Sequence, residues 1–168
     1  MNTPADTRSV IPPTEGEPFS IGYVGGYFKI AGAATSGRFA VAELPAIPPQ
    51  VLAAPLHRHH NEDEYTFIVS GTLGVMLGDE VLTAGPGMWI IKPRGGWHTF
   101  WNATREDCHI IEIVSPAGFE TYFREVAQAR DDPQRLAQIN QKYAIDMDFG
   151  SVPKLCQRFG LNFPKQER

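Results

Sequence analysis

Between Phe19 and Ser115 the chain alternates short apolar runs with glycine and proline. The runs are GYFKIAG, GRFAVAEL, EYTFIVSG, LGVMLGDEVLTAG, GMWIIKP, HTFWN and CHIIEIVSP. Turn signals recur at roughly 8–12 residue intervals, the pattern of many short strands in an all-β sandwich or barrel. The longest apolar run, TFIVSGTLGVML, is broken by Gly71 and Gly74 and reads as strand–turn–strand. After SPAG the period changes, and Phe119, Phe123 and Val126 fall at helical spacing. Asp132–Pro133 predicts a second helix start, followed by QRLAQINQKY. Ser151 is placed to cap a third helix, VPKLCQRF, and Gly160 to stop it. The chain thus divides into a polar, Pro-containing arm over 1–18, a β-barrel over 19–116 and a helical extension over 117–168 that packs on the barrel or on a partner subunit.

Composition narrows the classes. With 168 residues, 42% hydrophobic and 20% charged, the chain is long enough for one domain with a real core. The formal charge of −4 offers no basic excess for nucleic acid. No stretch has the length of a transmembrane span, and the N-terminal residues have no apolar signal-peptide core, so a cytoplasmic address is expected. Two cysteines, Cys108 and Cys156, make no disulfide framework and read as buried free thiols.

The chemistry sits in two strings, PLHRHHNEDEYTFIVSG and GMWIIKPRGGWHTFWN. His57 and His59 are two apart, so on a strand both imidazoles project from one face. Glu64 lies five residues beyond His59, which would reverse its face on one continuous strand. The polar, turn-like HNED between them places Glu64 at the start of the next strand of a hairpin, restoring a common direction. His98 follows PRGG, where Gly95 and Gly96 can take the positive φ of a tight reversal, and is brought in by the fold from far along the chain. Three imidazoles and one carboxylate form a ligand set for a divalent transition metal, with one or two positions left for water, dioxygen or a chelating substrate. A structural zinc site normally recruits cysteine, and neither cysteine lies in these strings.

The two strings resemble the paired motifs of the cupin superfamily. The first is similar to G-x5-H-x-H-x4-E-x6-G, carried by His57, His59, Glu64 and Gly71, with Val51 where the leading glycine stands. The second is similar to G-x5-P-x-G-x2-H-x3-N, matched at Gly87, Pro93, Gly95, His98 and Asn102. The resemblance implies a double-stranded β-helix, the jelly-roll barrel, with His57, His59, Glu64 and His98 holding a metal inside it. Fe, Mn, Ni, Co and Cu suit the set, and Zn less well. The segments TSGRFAVAEL, HRHHNEDEYTFIVSG and SPAGFETYFREV further resemble small single-domain proteins of the quercetin 2,3-dioxygenase-like group. That likeness implies a metal-dependent dioxygenase acting on an aromatic, flavonol or polyketide-like enol, with dioxygen as co-substrate. It also implies that Glu64 both ligates the metal and accepts the substrate's hydroxyl proton. The alternatives are a redox-neutral isomerase or cyclase on the same ligands, and a cupin that binds a small molecule without turning it over. A homodimer is the expected assembly.

Other residues are open to two readings. Phe100 shares a face with His98 and either walls the substrate cavity or packs in the core. Trp89, Trp97 and Trp101 either supply aromatic walls or serve core and dimer contacts, and Trp89 and Phe100 are the candidates to bind substrate. His60 faces away from the ligands by strand alternation, His109 is a satisfied core or interface histidine, and Glu62 and Asp63 are expected in a solvated loop.

Overall fold

Alternation with a period of two makes these strands, and it is cleanest from Cys108 to Ser115. There Cys108, Ile110, Glu112 and Val114 are buried and the intervening residues are half-buried. The structure, a computed structural model, describes residues 9–129 and 132–163. The first eight residues of the expected arm and residues 164–168 of the extension lie outside the described residues.

The strands in chain order are β1 (Glu17–Ile21), β2 (Val24–Ile30), β3 (Ala40–Ile47), β4 (Val51–Leu52), β5 (Leu56–His59), β6 (Asp63–Ser70), β7 (Leu73–Leu77), β8 (Glu80–Ala84), β9 (Trp89–Lys92), β10 (His98–Asn102), β11 (Cys108–Ser115) and β12 (Ile145–Asp148). The helices are α1 (Glu120–Ala127), α2 (Pro133–Lys142) and α3 (Val152–Phe159). Among the described residues the strands form two antiparallel sheets. One runs β1-β2-β3-β11-β6-β9 and the other β12-β5-β10-β7-β8, with β4 also paired to β10. The expected jelly-roll barrel is this pair of sheets packed face to face, with short helices after it. Ile47, Ile68, Leu73 and Ile110 are fully buried between the sheets.

Consecutive strands repeatedly change sheet. The turn at Gly71 joins β6 of the first sheet to β7 of the second. The His59–Glu64 connection does the same, so β5 and β6 are not the two arms of a hairpin as the spacing suggested. Crossing the barrel brings Glu64 to face the histidines from the opposite sheet, which a hairpin would not.

The flanks contribute to the sheets as well. β1 begins at Glu17, inside the expected arm, and pairs with β2. β12 lies within the expected helical extension and adds to the histidine strand, with Ile145 opposite His59 and Met147 opposite His57. The three helices stand where their sequence signals put them. Asp132 caps α2 by accepting from the amides of Gln134 and Arg135 at 3.0 Å each, and Gly160 ends α3 in the left-handed conformation. Ser151 does not cap α3. Its hydroxyl donates to the Asp148 carbonyl at 2.6 Å and accepts from the Leu56 amide at 3.1 Å, tying the helix start to the histidine strand. α3 packs on the outside of the second sheet, where Phe159 stacks on Trp101 at 4.2 Å. That ring lies across Gly74, where a Cβ would stand 2.2 Å from the indole nitrogen. No helix among the described residues is long and apolar enough to cross a membrane.

Candidate metal centre

His57 and His59 occupy alternate positions of β5, and both are buried. β10 lies beside β5 in a register that sets His98 directly opposite His57. Gly95 makes this possible. At φ +78° it turns the chain between β9 and β10, and its amide donates to the His59 carbonyl at 2.6 Å. Gly96 keeps an ordinary φ, so one left-handed residue suffices for the turn. Glu64 enters from β6 across the barrel. One ligand atom from each of His57, His59, Glu64 and His98 lies within 4.8 Å of the others, and all four residues are buried.

The imidazoles are oriented from behind. His57 Nδ1 is 2.8 Å from the Pro55 carbonyl and His98 Nδ1 3.0 Å from the Gly96 carbonyl. Donation by each Nδ1–H leaves the Nε2 lone pair aimed inward. His59 Nδ1 instead faces the Glu62 carboxylate at 3.4 Å. Glu62 is buried, not solvated as its loop position suggested, because the crossover turns its carboxylate in against the His59 ring.

Burial holds His57 well below the usual imidazole range, with His98 and His59 adding to the effect, so its neutral, lone-pair-bearing form prevails at pH 7. Burial alone would push Glu64 up, but the Lys92 ammonium and His59 outweigh it and keep the carboxyl well below its ordinary value. Within this cluster the inward nitrogens His59 Nε2 and His98 Nε2 are buried without a hydrogen-bond partner, with the Glu64 carboxylate, itself ion-paired to Lys92, 2.9 Å from His98 Nε2. Orphaned buried donor atoms converging on one point carry a desolvation penalty that a divalent cation would relieve. The residues therefore fit a metal.

A cavity of about 730 Å³ opens from this cluster. Its walls come from the barrel interior, through Phe28 and Phe100, and from the C-terminal region, through Phe119, Tyr122 and Phe123. Phe119 lies edge-on to the His59 ring at 4.4 Å, so the start of α1 bears directly on a candidate ligand. Phe100, one of the two residues expected at the substrate, lines the cavity. Trp89 does not. It is 56% exposed on the outer face of β9, against Phe67 at 4.9 Å, because Ile90 and Lys92 take the inward positions of that strand.

Two inward residues had no place in the sequence reading. Lys92, 2% exposed, sets its ammonium 3.1 Å from Glu64 Oε2 and 2.8 Å from Glu112 Oε1. The Thr66 hydroxyl lies 2.9 Å and 3.1 Å from the two oxygens of Glu112, and Glu112 lines the cavity. The remaining histidines are satisfied elsewhere. His60 is exposed and bonds Asp146 at 2.9 Å, and His109 bonds Glu43 at 2.9 Å. Asn102 of the second motif is structural, its amide donating to the carbonyls of Ile47 and Glu106.

Residues 45–114 match the Cupin domain family. Comparison with curated protein sequences finds no match. Solved structures of similar fold include KdgF from Halomonas sp., at 16% identity over 68% of this chain and 99% of that one, with a TM-score of 0.55. Pac13 from Streptomyces, described as a nucleoside dehydratase, shares 16% identity over 68% of this chain and 88% of its own, also at 0.55. The plu4264 protein of Photorhabdus luminescens shares 17% over 80% of this chain and 98% of its own, at 0.53. At such identities the likeness establishes the fold alone. The barrel segment over residues 45–114 is thus similar to the Cupin domain, and the fold around it is shared with these structures.

Proposed function

We propose that this protein is a metal-dependent dioxygenase of the quercetinase-like kind, acting in the cytoplasm on an aromatic or polyketide-like enol. The observation that carries the reading is the His57, His59, Glu64 and His98 cluster at the base of a large cavity whose walls are mostly apolar and aromatic. A divalent ion held by these four residues would lower the pKa of a coordinated hydroxyl and leave a position for dioxygen.

The chain's own residues supply the rest. Phe28, Phe100 and Phe119 offer faces and edges to a flat ring and exclude water from it. Glu64 is the proton acceptor for the substrate hydroxyl, its low proton affinity keeping it ionised until the substrate arrives. No arginine or lysine stands among the cavity-lining residues described, so the reading takes an unphosphorylated substrate.

A second reading, redox-neutral isomerisation, cyclisation or dehydration, is favoured by Glu112. This second carboxylate on the cavity wall suits proton shuttling without oxygen, and the similarly folded Pac13 carries the name of a dehydratase.

Oxygen consumption and flavonol absorbance separate the two. Protein reloaded separately with Fe, Mn, Ni and Co is given quercetin, and the first reading expects bleaching with one dioxygen consumed per flavonol and carbon monoxide released. His57→Ala should abolish it. Binding of quercetin without oxygen uptake at any metal would remove the flavonol dioxygenase reading and favour the redox-neutral enzyme or a non-catalytic binder.

A further inference from the structure

Burying a lysine ammonium carries a large desolvation cost unless the charge is paired. The inward faces of the strands around it carry apolar side chains such as Ile68 on β6, Ile90 on β9 and Ile110 on β11, and beside Lys92 they turn polar, with Glu64, Thr66 and Glu112 all buried. Replacing a buried ionic group by an apolar one of similar size is commonly neutral or stabilising. An ammonium retained there must be sought in what it touches.

Strand register decides its contacts. β6 lies between β9 and β11, with Glu64 directly opposite Lys92 on one side and Thr66 directly opposite Glu112 on the other. Lys92 therefore reaches Glu64, its cross-strand partner, and crosses β6 to reach Glu112 on the far strand. The Phe100 ring lies 5.1 Å from the ammonium, a cation–π distance that closes another side. Glu112 is fixed in turn by the Thr66 hydroxyl on both of its oxygens. The ammonium is held by several partners, and one of them is the only carboxylate of the ligand cluster.

We propose that Lys92, anchored by Glu112 and Thr66, is a positioning residue of the metal centre, fixing the orientation in which the Glu64 carboxylate meets the three imidazoles. The proposal rests on the metal-site reading above. The ammonium holds Glu64 Oε2 at 3.1 Å, the same oxygen that lies 2.9 Å from His98 Nε2, and so restrains the plane in which the carboxylate faces the imidazoles. Glu112 acts one step further out, by keeping the ammonium where Glu64 needs it.

Cobalt(II) is the probe, because the positions and intensities of its visible absorption bands report ligand geometry without any substrate. Wild-type protein, Lys92→Met and Glu112→Ala are each titrated with Co2+, with near-ultraviolet circular dichroism to confirm the fold. The expected result is a shifted cobalt spectrum in Lys92→Met and a smaller shift in the same direction in Glu112→Ala. Ile90→Val, on the same inward row, should leave the spectrum as in wild type. If Lys92→Met does not fold, Glu112→Ala alone decides, since it keeps the lysine and removes its anchor. Variant spectra superimposable on wild type would overturn the positioning role while leaving the metal site intact. A wild-type protein that binds no Co2+ would overturn the metal reading itself, and the positioning role with it.

Discussion

At the scale of single residues, burial decides which reactive groups are available. Cys108 is fully buried on β11 between the sheets, and that burial pushes its thiol up to about 11. Cys156 is half-buried on α3 and is raised by the same cause. The thiolate is the reactive form, so native protein at pH 8 should titrate a single thiol with a disulfide reagent, slowly. The second thiol should react only after denaturation, and Cys156→Ser should remove the native reaction entirely. Two equivalents reacting in the native state would mean that the barrel opens at β11 far more readily than its packing implies.

At the scale of elements, the metal centre depends on segments held in fixed relation, and Asp63 is one tie. Its carboxylate accepts from the Arg94 amide at 2.9 Å and from the guanidinium at 2.7 and 3.1 Å, locking the start of β6 to the turn before His98. These bonds hold the Asp63 carboxyl at about 2, below its ordinary 3.8. A depressed carboxyl stabilises the fold above its unfolded value and loses that contribution as pH falls through the folded one. Asp63→Asn should therefore melt at a lower temperature than wild type at pH 7, with the gap closing between pH 4 and pH 2. The gap should be small, since the pair is largely solvated and salt screens it. Melting curves at the two ends of that range check the sign, and a gap that widened on acidification would refute it.

These same elements show what the sequence could and could not tell. His57, His59 and His98 were legible because two-residue spacing and a glycine turn are local signals. Glu64 was placed with them correctly, though by a strand that crosses sheets and not by a hairpin. The strand Trp89–Lys92 misled. With apolar residues at three of its four positions it has no readable alternation, and apolarity alone favours Trp89 and Ile91 inside. The fold takes the other phase, because Lys92 finds two carboxylates in the interior and an inward Trp89 would displace it. That one-residue slip exchanged an expected substrate wall for an unforeseen buried ion network. β12 was hidden for a related reason, since a short strand recruited by a distant edge leaves little periodicity of its own.

At the scale of the whole molecule, the phase of β9 also shapes the outer surface. β9 ends the first sheet, paired to β6 on one side, and among the described residues no strand pairs with its other edge. Its outward residues are Trp89 and Ile91, 56% and 62% exposed, with Met88 beside them at 52%. An unpaired edge next to an apolar row is a template for association. The prediction is that a homodimer, if the chain forms one, uses this edge, with β9 of one copy beside β9 of the other and Trp89 and Ile91 covered between them. Ile91→Glu would place two carboxylates close together in that contact, where burying them unpaired is strongly unfavourable. Light scattering at micromolar concentration should then give a dimer for wild type and a monomer for Ile91→Glu. Ile91 faces away from the cavity, so the monomer should still take up one Co2+ with an unaltered spectrum. A monomeric wild type would remove the dimer, and a dimer that survived Ile91→Glu would move the interface to another face of the barrel.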